Sequence, residues 1–269
     1  MTVPTRPPLA SEPLTRALVH PGGLWSGVRV VEATGSTNAD LLEAGGASHG
    51  SVLVAESQTA GRGRQGREWS SPPGSGLTFS VLLRPGEVPA SRWPWLPLLA
   101  GNALAAAVTR ICALCVRLKW PNDLLVMRED EDARKLAGIL TERSGDAVAI
   151  GVGLNVSTTS QELPSPAATS LALEDYRWVS RQELLITMLH ELEAGYVAWE
   201  RERGDPDTSR VRPAYRHMSA TLGQQVRVGF PDGGELHGHA RDLDDAGRLV
   251  VTGESGEQAV SAGDVVHVR

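Results

Sequence analysis

A strand-like run, Val52–Glu56, leads within a few residues into Gly61-Arg62-Gly63-Arg64-Gln65-Gly66-Arg67-Glu68-Trp69. The segment spells G-x-G-x-x-G, and that spelling carries a structural demand. A dinucleotide fold needs a helix to open directly after the glycines, so that its N-terminus receives the pyrophosphate. Here the continuation is Ser70-Ser71-Pro72-Pro73-Gly74-Ser75-Gly76, which cannot form one. The doubly wound dinucleotide fold is excluded. The chain also lacks a G-x-x-x-x-G-K-[ST] phosphate loop, so any nucleotide is held in some other way. What remains is a loop carrying Arg62, Arg64 and Arg67 in a chain of formal net charge −6. Three guanidinium groups so close repel one another unless an anion arrives, and their fork geometry suits carboxylates and phosphates. Trp69 adds a flat face on which an adenine ring can stack.

The acidic balance argues against a broad nucleic-acid-binding face. No uninterrupted apolar run approaches the length of a membrane span, and Met1–Leu14 lacks the apolar centre of a signal peptide. The two cysteines, Cys112 and Cys115, are too few for a disulfide framework and lack the partners of a zinc site. They read as small buried apolar residues of a cytoplasmic protein.

From Val28 onward, strand-like and helix-like stretches alternate. Val28–Glu32, Val52–Glu56, Leu77–Leu83, Val116–Trp120, Leu124–Met127, Leu136–Glu142 and Val148–Val156 read as strands. Thr37 with Asp40 forms a weak capping box for a short helix ending at Gly45–Gly46. Trp95–Ile111 is helical by period, and Ser180 with Glu183 caps a longer helix that stops at Gly204. Residues 157–178 read as loop. After about Ala220 the pattern changes to five short strands joined by Gly-rich turns. His237-Gly238-His239 falls on one face of such a strand and reads as solvated surface. The expected organisation is a flexible N-terminus over 1–14, an α+β domain over 15–219 and a small all-β domain over 220–269.

Of 26 basic residues only two are lysine, Lys119 and Lys135. Lysine is a compact ammonium, whereas arginine is a planar fork, so the two are not interchangeable at a crowded site. Lys119 ends a strand in Arg117-Leu118-Lys119-Trp120-Pro121-Asn122-Asp123, and Lys135 opens the next one in Lys135-Leu136-Ala137-Gly138-Ile139-Leu140. Both fall where one hairpin brings strand ends together.

These segments, with Gly35-Ser36-Thr37-Asn38, Gln58-Thr59-Ala60-Gly61-Arg62-Gly63-Arg64 and Gly151-Val152-Gly153-Leu154-Asn155, resemble the biotin protein ligases in content and in order. Gln65 departs from the pattern, since members often carry arginine there. The resemblance implies a mixed sheet with helices followed by an SH3-like β-barrel. Too few residues precede Val28 for the DNA-binding domain of repressor-type members, so the type without one is expected. It also implies a two-step reaction with biotin and ATP, accompanied by Mg²⁺: biotinyl-5′-AMP forms, and a lysine of a biotin carboxyl carrier domain then accepts the biotinyl group. Ser36, Thr37, Asn38, Gln58, Arg62, Gly63, Arg64, Lys135, Gly138 and Gly153 are implied as biotin contacts. Arg64, Arg67, Trp69, Lys119, Asn122, Lys135 and Asn155 are implied for ATP. Lys135, Arg62, Arg64 and Lys119 would carry the chemistry, with no resident metal ligands, no nucleic acid and no membrane. A lipoate–protein ligase and a non-catalytic biotin sensor are the competing readings. The Gly61–Trp69 string has the biotin form rather than the lipoate one, and a sensor would need a DNA-reading module for which neither charge nor length leaves room.

Overall fold

The computed structural model describes residues 6–43, 47–128, 133–230, 232–261 and 263–268. Its larger sheet has seven strands: β1 (Gly27–Thr34), β2 (Ser51–Gln58), β3 (Gly76–Leu83), β4 (Val116–Lys119), β5 (Asp123–Val126), β6 (Arg134–Ser144) and β7 (Ala147–Asn155). They lie in the order β1-β2-β3-β7-β6-β5-β4. The first pair is parallel and the other neighbours are antiparallel, so the sheet is mixed.

The pleat gives the two faces of this sheet different work. Successive side chains on a strand point to opposite sides. On β7, Val148, Ile150, Val152 and Leu154 enter the main core, while Ala147, Ala149, Gly151 and Gly153 alternate with them. The core face is covered by α1 (Ser11–Leu18), α3 (Leu96–Cys112), α4 (Arg181–Arg201) and α5 (Val211–Met218). The opposite face has a smaller apolar cluster of Leu41, Leu53, Leu82, Ala147 and Ala149 beneath α2 (Thr37–Glu43). Beyond that cluster the same face carries Gly151 and Gly153, and it opens into a cavity.

Ala90–Cys112, which includes α3, is long and apolar enough to cross a membrane by length and composition. However, 67% of its apolar window is buried inside the molecule. It is the central core helix. The second sheet, in the order β11-β10-β9-β8-β12, occupies the C-terminal stretch expected to form a small barrel. Its strands are β8 (Gln225–Gly229), β9 (Glu235–Leu243), β10 (Leu249–Gly253), β11 (Gly256–Val260) and β12 (Asp264–His267), all antiparallel. It is bound to the first sheet through Trp120, whose N–H donates to Thr221 Oγ1 at 3.0 Å and whose Nε1 donates to the Gly247 carbonyl at 3.3 Å. Arg212 on α5 adds an ion pair of 2.6 Å with Asp245.

Several expectations need correction. Residues 6–14 are not a flexible lead-in. Arg6 and Leu9 are hydrogen-bonded to the body of the protein, and Leu14 and Leu18 are completely buried one helical turn apart. The two helices that the periodicity missed, α1 and α5, each carry proline at their third position, Pro13 and Pro213. In the first turn the missing N–H has no intrahelical partner to lose, so proline is tolerated there. The cap of α2 is Ser36, whose Oγ accepts from Ala39 N–H at 3.5 Å, while the Thr37 hydroxyl is turned away to Gln58. The expected end of α2 at Gly45–Gly46, and residues 129–132 in the acidic turn between Arg128 and Arg134, lie outside the described residues. Cys112 is buried as expected, but Cys115 is exposed.

If α1 belongs to the core, Leu14→Ala should cost about 2–5 kcal/mol, the usual range for emptying a buried leucine site. The shift of a urea unfolding midpoint measures it, and a shift equivalent to less than about 0.5 kcal/mol, the scale of an exposed substitution, would detach α1 from the core.

Candidate active site

The cavity on the glycine-bearing face holds about 290 Å³, near the lower end of the range of roughly 300–1,000 Å³ for small-molecule sites. Its lining includes Ser36, Thr37, Asn38, Gln58, Arg62, Gly63, Arg64, Arg67, Trp69, Lys119, Asn122, Lys135, Gly138 and Gly153. All of these were singled out from the sequence. Asn155 was too, but it is not in the lining. Its Nδ2 donates to the Thr169 carbonyl at 3.0 Å, so it ties β7 to the following loop.

One part of the lining is polar and largely uncharged. Gln58 Oε1 accepts from the Thr37 N–H at 2.8 Å and from its hydroxyl at 3.0 Å. Ser80 is fully buried, and its hydroxyl lies 2.7 Å from Thr37 Oγ1 and 2.6 Å from Asn38 Oδ1. Ser80 has one proton for these two oxygens, so the cluster is a donor short. Asn38 Nδ2 gives its protons to the Leu140 carbonyl at 3.1 Å and to Glu142 Oε2 at 2.9 Å. The other oxygen of Glu142 takes Arg62 at 3.2 Å. A hydrogen-bonded chain therefore runs from the end of β2, through α2 and β3, to the first arginine of the loop.

The loop itself is folded back on its own backbone. Gly63 N–H donates to the Arg67 carbonyl at 2.6 Å and Trp69 N–H to the Gly61 carbonyl at 3.0 Å. Gln65 sits at its tip with φ of 56°, in the left-handed region. The Trp69 indole lies on the glycine floor. A Cβ on Gly153 would collide with its ring, and one on Gly138 would stand 3.3 Å from it. The indole Nε1 is buried without a hydrogen-bond partner among the described residues.

The rest of the lining is cationic. Lys135 Nζ stands 2.7 Å from Asp123 Oδ1 and 5.9 Å from the centre of the Trp69 ring. Arg67 pairs with Asp264 on β12, so the C-terminal sheet forms one wall of the cavity. Arg64 and Lys119 have no ion-pair or hydrogen-bond partner among the described residues. Burial pushes the Lys119 ammonium below its ordinary pKa. Asp123 opposes the shift, while Lys135 and Arg67 add to it. Arg64 is likewise lowered by burial, with Asp123 opposing and Arg67 adding. The bare repulsion expected within the loop is thus partly offset by Glu142 and Asp264. Arg64 and Lys119 have only the field of Asp123 to offset their burial, and an anion bound beside them would relieve the remainder.

Comparison with known proteins now identifies the lineage. The Biotin/lipoate A/B protein ligase family matches residues 27–156, and the Biotin protein ligase C terminal domain matches residues 221–268. The first family is shared with lipoate ligases, and the second match points to biotin. The chain is 42% identical to the biotin–[acetyl-CoA-carboxylase] ligase of Mycobacterium tuberculosis, across 98% of this chain and 97% of that protein. The chain belongs to the biotin protein ligases. It is also 33% identical to the bifunctional ligase/repressor BirA of Escherichia coli, over 83% of this chain and 68% of that protein. A biotin protein ligase of Aquifex aeolicus, solved in complex with biotin and ATP, superposes with a TM-score of 0.76. It is 28% identical, and the match covers 91% of this chain and all of that one.

Asp123 is the carboxylate of the quoted strand-end motif, and three further groups in or beside this ligase cavity are not expected from the sequence. Glu142 and Ser80 share the cavity face with Gly138 and Gly153 by strand alternation, a signal that was available. Asp264 had none, because its contact with Arg67 spans two sheets.

Gly153→Ala should leave the fold intact but lift the Trp69 indole from its floor. Binding of a biotin–adenylate analogue, followed by tryptophan fluorescence or calorimetry, should weaken by at least about tenfold, or 1.4 kcal/mol. Unchanged affinity would show that the glycine floor does not set the position of Trp69.

Proposed function

We propose that this chain joins biotin to one lysine of a biotin carboxyl carrier domain, using ATP and passing through biotinyl-5′-AMP. The observation that carries the reading is the two-fold character of the cavity. A neutral cluster of Gln58, Thr37 and Asn38, backed by the buried Ser80 hydroxyl, suits a cyclic urea, which offers two N–H donors and one carbonyl acceptor. Beside it, Arg64, Arg67, Lys119 and Lys135 suit a carboxylate and a triphosphate.

In the first step a biotin carboxylate oxygen attacks the α-phosphorus and pyrophosphate leaves. Both reactants are anionic, so the protein's task is to hold them in line and to stabilise charge. Lys135, fixed by Asp123, stands ready to bridge the carboxylate and the α-phosphate. Lys119, Arg64 and Arg67 take the remaining phosphate charge, and Arg67 exchanges Asp264 for phosphate. In the second step the carrier ε-amine attacks the anhydride carbonyl, and AMP departs. Both nucleophiles come from substrates, so no side chain of this protein needs to become one. Among the described residues no three His, Cys, Asp or Glu side chains converge as a metal site. Mg²⁺ enters this reading as an ion held chiefly by ATP phosphates and water. Free Cys112 and Cys115 suit a cytoplasmic location.

The test of the reading is the mass of a carrier domain after incubation with the protein, biotin and ATP. One biotinyl group per carrier is expected, and an unmodified carrier overturns it. Lys135→Arg tests the ammonium itself. A wider guanidinium pushes the attacking oxygen off line, so pyrophosphate release should fall at least about tenfold, roughly 1.4 kcal/mol of transition-state stabilisation. Arg134→Lys, one residue away, should change little. A Lys135→Arg protein working at the wild-type rate would show that lysine is not required there.

A further inference from the structure

The two stems of the Gly61–Trp69 loop are the end of β2 and the turn Ser71–Gly76 before β3. They are tied to each other where Gly74 N–H donates to the Glu56 carbonyl at 3.1 Å. Behind them runs a stretch outside any helix or strand, Arg6–Ala10, that touches both. Glu56, on the β2 stem, accepts from Leu9 N–H at 2.7 Å and from Arg181 at 2.7 Å. Arg181, only 7% exposed, also donates to the Pro7 carbonyl at 2.6 Å and to the Gly76 carbonyl at 3.1 Å. On the other stem, Gly74 has φ of +70°, and a Cβ there would stand 3.1 Å from the Arg6 Cβ.

The strongest attachment is Arg6. Its two terminal nitrogens meet both oxygens of Glu162, at 3.1 and 2.7 Å, and one of them also reaches the Ser157 carbonyl at 3.0 Å. Ser157 N–H in turn donates to the Ser75 carbonyl at 2.7 Å, so Arg6 is one residue removed from the loop's downstream stem. The Arg6 hydrogen bonds hold the Glu162 carboxyl down to about 2, helped by Thr159 and opposed by burial. A group held below its ordinary value loses its pairing only as pH falls from about 4.5 toward about 2, so the pair is fully charged at neutral pH.

We propose that Arg6–Ala10 is a strap that fixes the base of the Gly61–Trp69 loop, and that Arg6 is a positioning residue for retaining the acyl-adenylate. The proposal rests on the ligase reading above. The loop lines the cavity with Arg62, Arg64, Arg67 and Trp69, and a covering segment whose stems are already immobile loses less conformational entropy on closing than one hinged on free chain. Loosening the strap therefore shifts the loop toward open conformations. An open loop admits water, which attacks the anhydride carbonyl. AMP then leaves, biotin is returned, and one ATP is spent without transfer.

The experiment measures pyrophosphate released against biotin transferred to a carrier domain, in the full chain at neutral pH. The variants are Arg6→Gln and Glu162→Gln, with Leu104→Ala on α3 as a destabilised control remote from the strap. Wild type should give a ratio near one, on the order of one ATP per biotin transferred. Both strap variants should raise that ratio at least about threefold while the initial rate of pyrophosphate release changes less than about twofold, a split between chemistry and retention. Trypsin should also cut faster after Arg62, Arg64 or Arg67 in the strap variants when biotin and ATP are present. A folded Arg6→Gln protein with the wild-type ratio overturns the strap. An equal rise in Leu104→Ala also overturns it, since general instability would then be the cause. If wild type releases no pyrophosphate with biotin and ATP, the ligase reading fails first, and the strap falls with it.

Discussion

The strand pleat is the constraint on which this molecule depends. On β6 and β7, Ile139, Val152 and Leu154 face helices while Gly138, Gly151 and Gly153 face the cavity. Moving either strand by one residue would exchange the two sets, placing branched side chains where Trp69 now lies and glycines in the core. Register is therefore fixed by the core, and the site inherits its shape from a requirement that has nothing to do with chemistry. The same alternation sets Ser80 and Glu142 beside Asn38 and ties α2 to the floor.

On that floor the charges are arranged as a partly balanced set. Asp123, Glu142 and Asp264 each hold one cation, and Arg64 and Lys119 stay unpaired among the described residues. The three pairs keep the loop and Lys135 in place when no phosphate is bound. The two unpaired groups are where a polyanion gains most. A site with every cation paired would be more comfortable when empty, but its ligand would then have to displace every carboxylate.

Much of this arrangement was legible before any coordinate. Spacing gave the strands and the two long helices, and the failure of Gly61–Trp69 to open a helix removed the commonest nucleotide fold. Both lysines could be placed at strand ends of one hairpin. Other features were hidden for identifiable reasons. Pro13 and Pro213 look like breakers, although in a first turn they break nothing. Asn155 belongs to a motif-like string but points into a loop carbonyl, because a motif does not say which of its members is structural. Asp264 and Arg6 are single charged residues without local context, and their partners are far away in the chain. Only the tertiary fold could reveal them.

The wall contributed by β12 has a consequence in time as well as in space. A chain emerges from the ribosome with its N-terminus first, and its parts can begin to fold as they appear. The strap, the loop and both lysines are all made before the segment that carries Asp264. Until that segment docks, Arg67 has no carboxylate and the cavity lies open on one side. The site is thus assembled last, by the strand synthesised last among the described elements, and a nascent chain has every cationic group of the site before it has an enclosure for them.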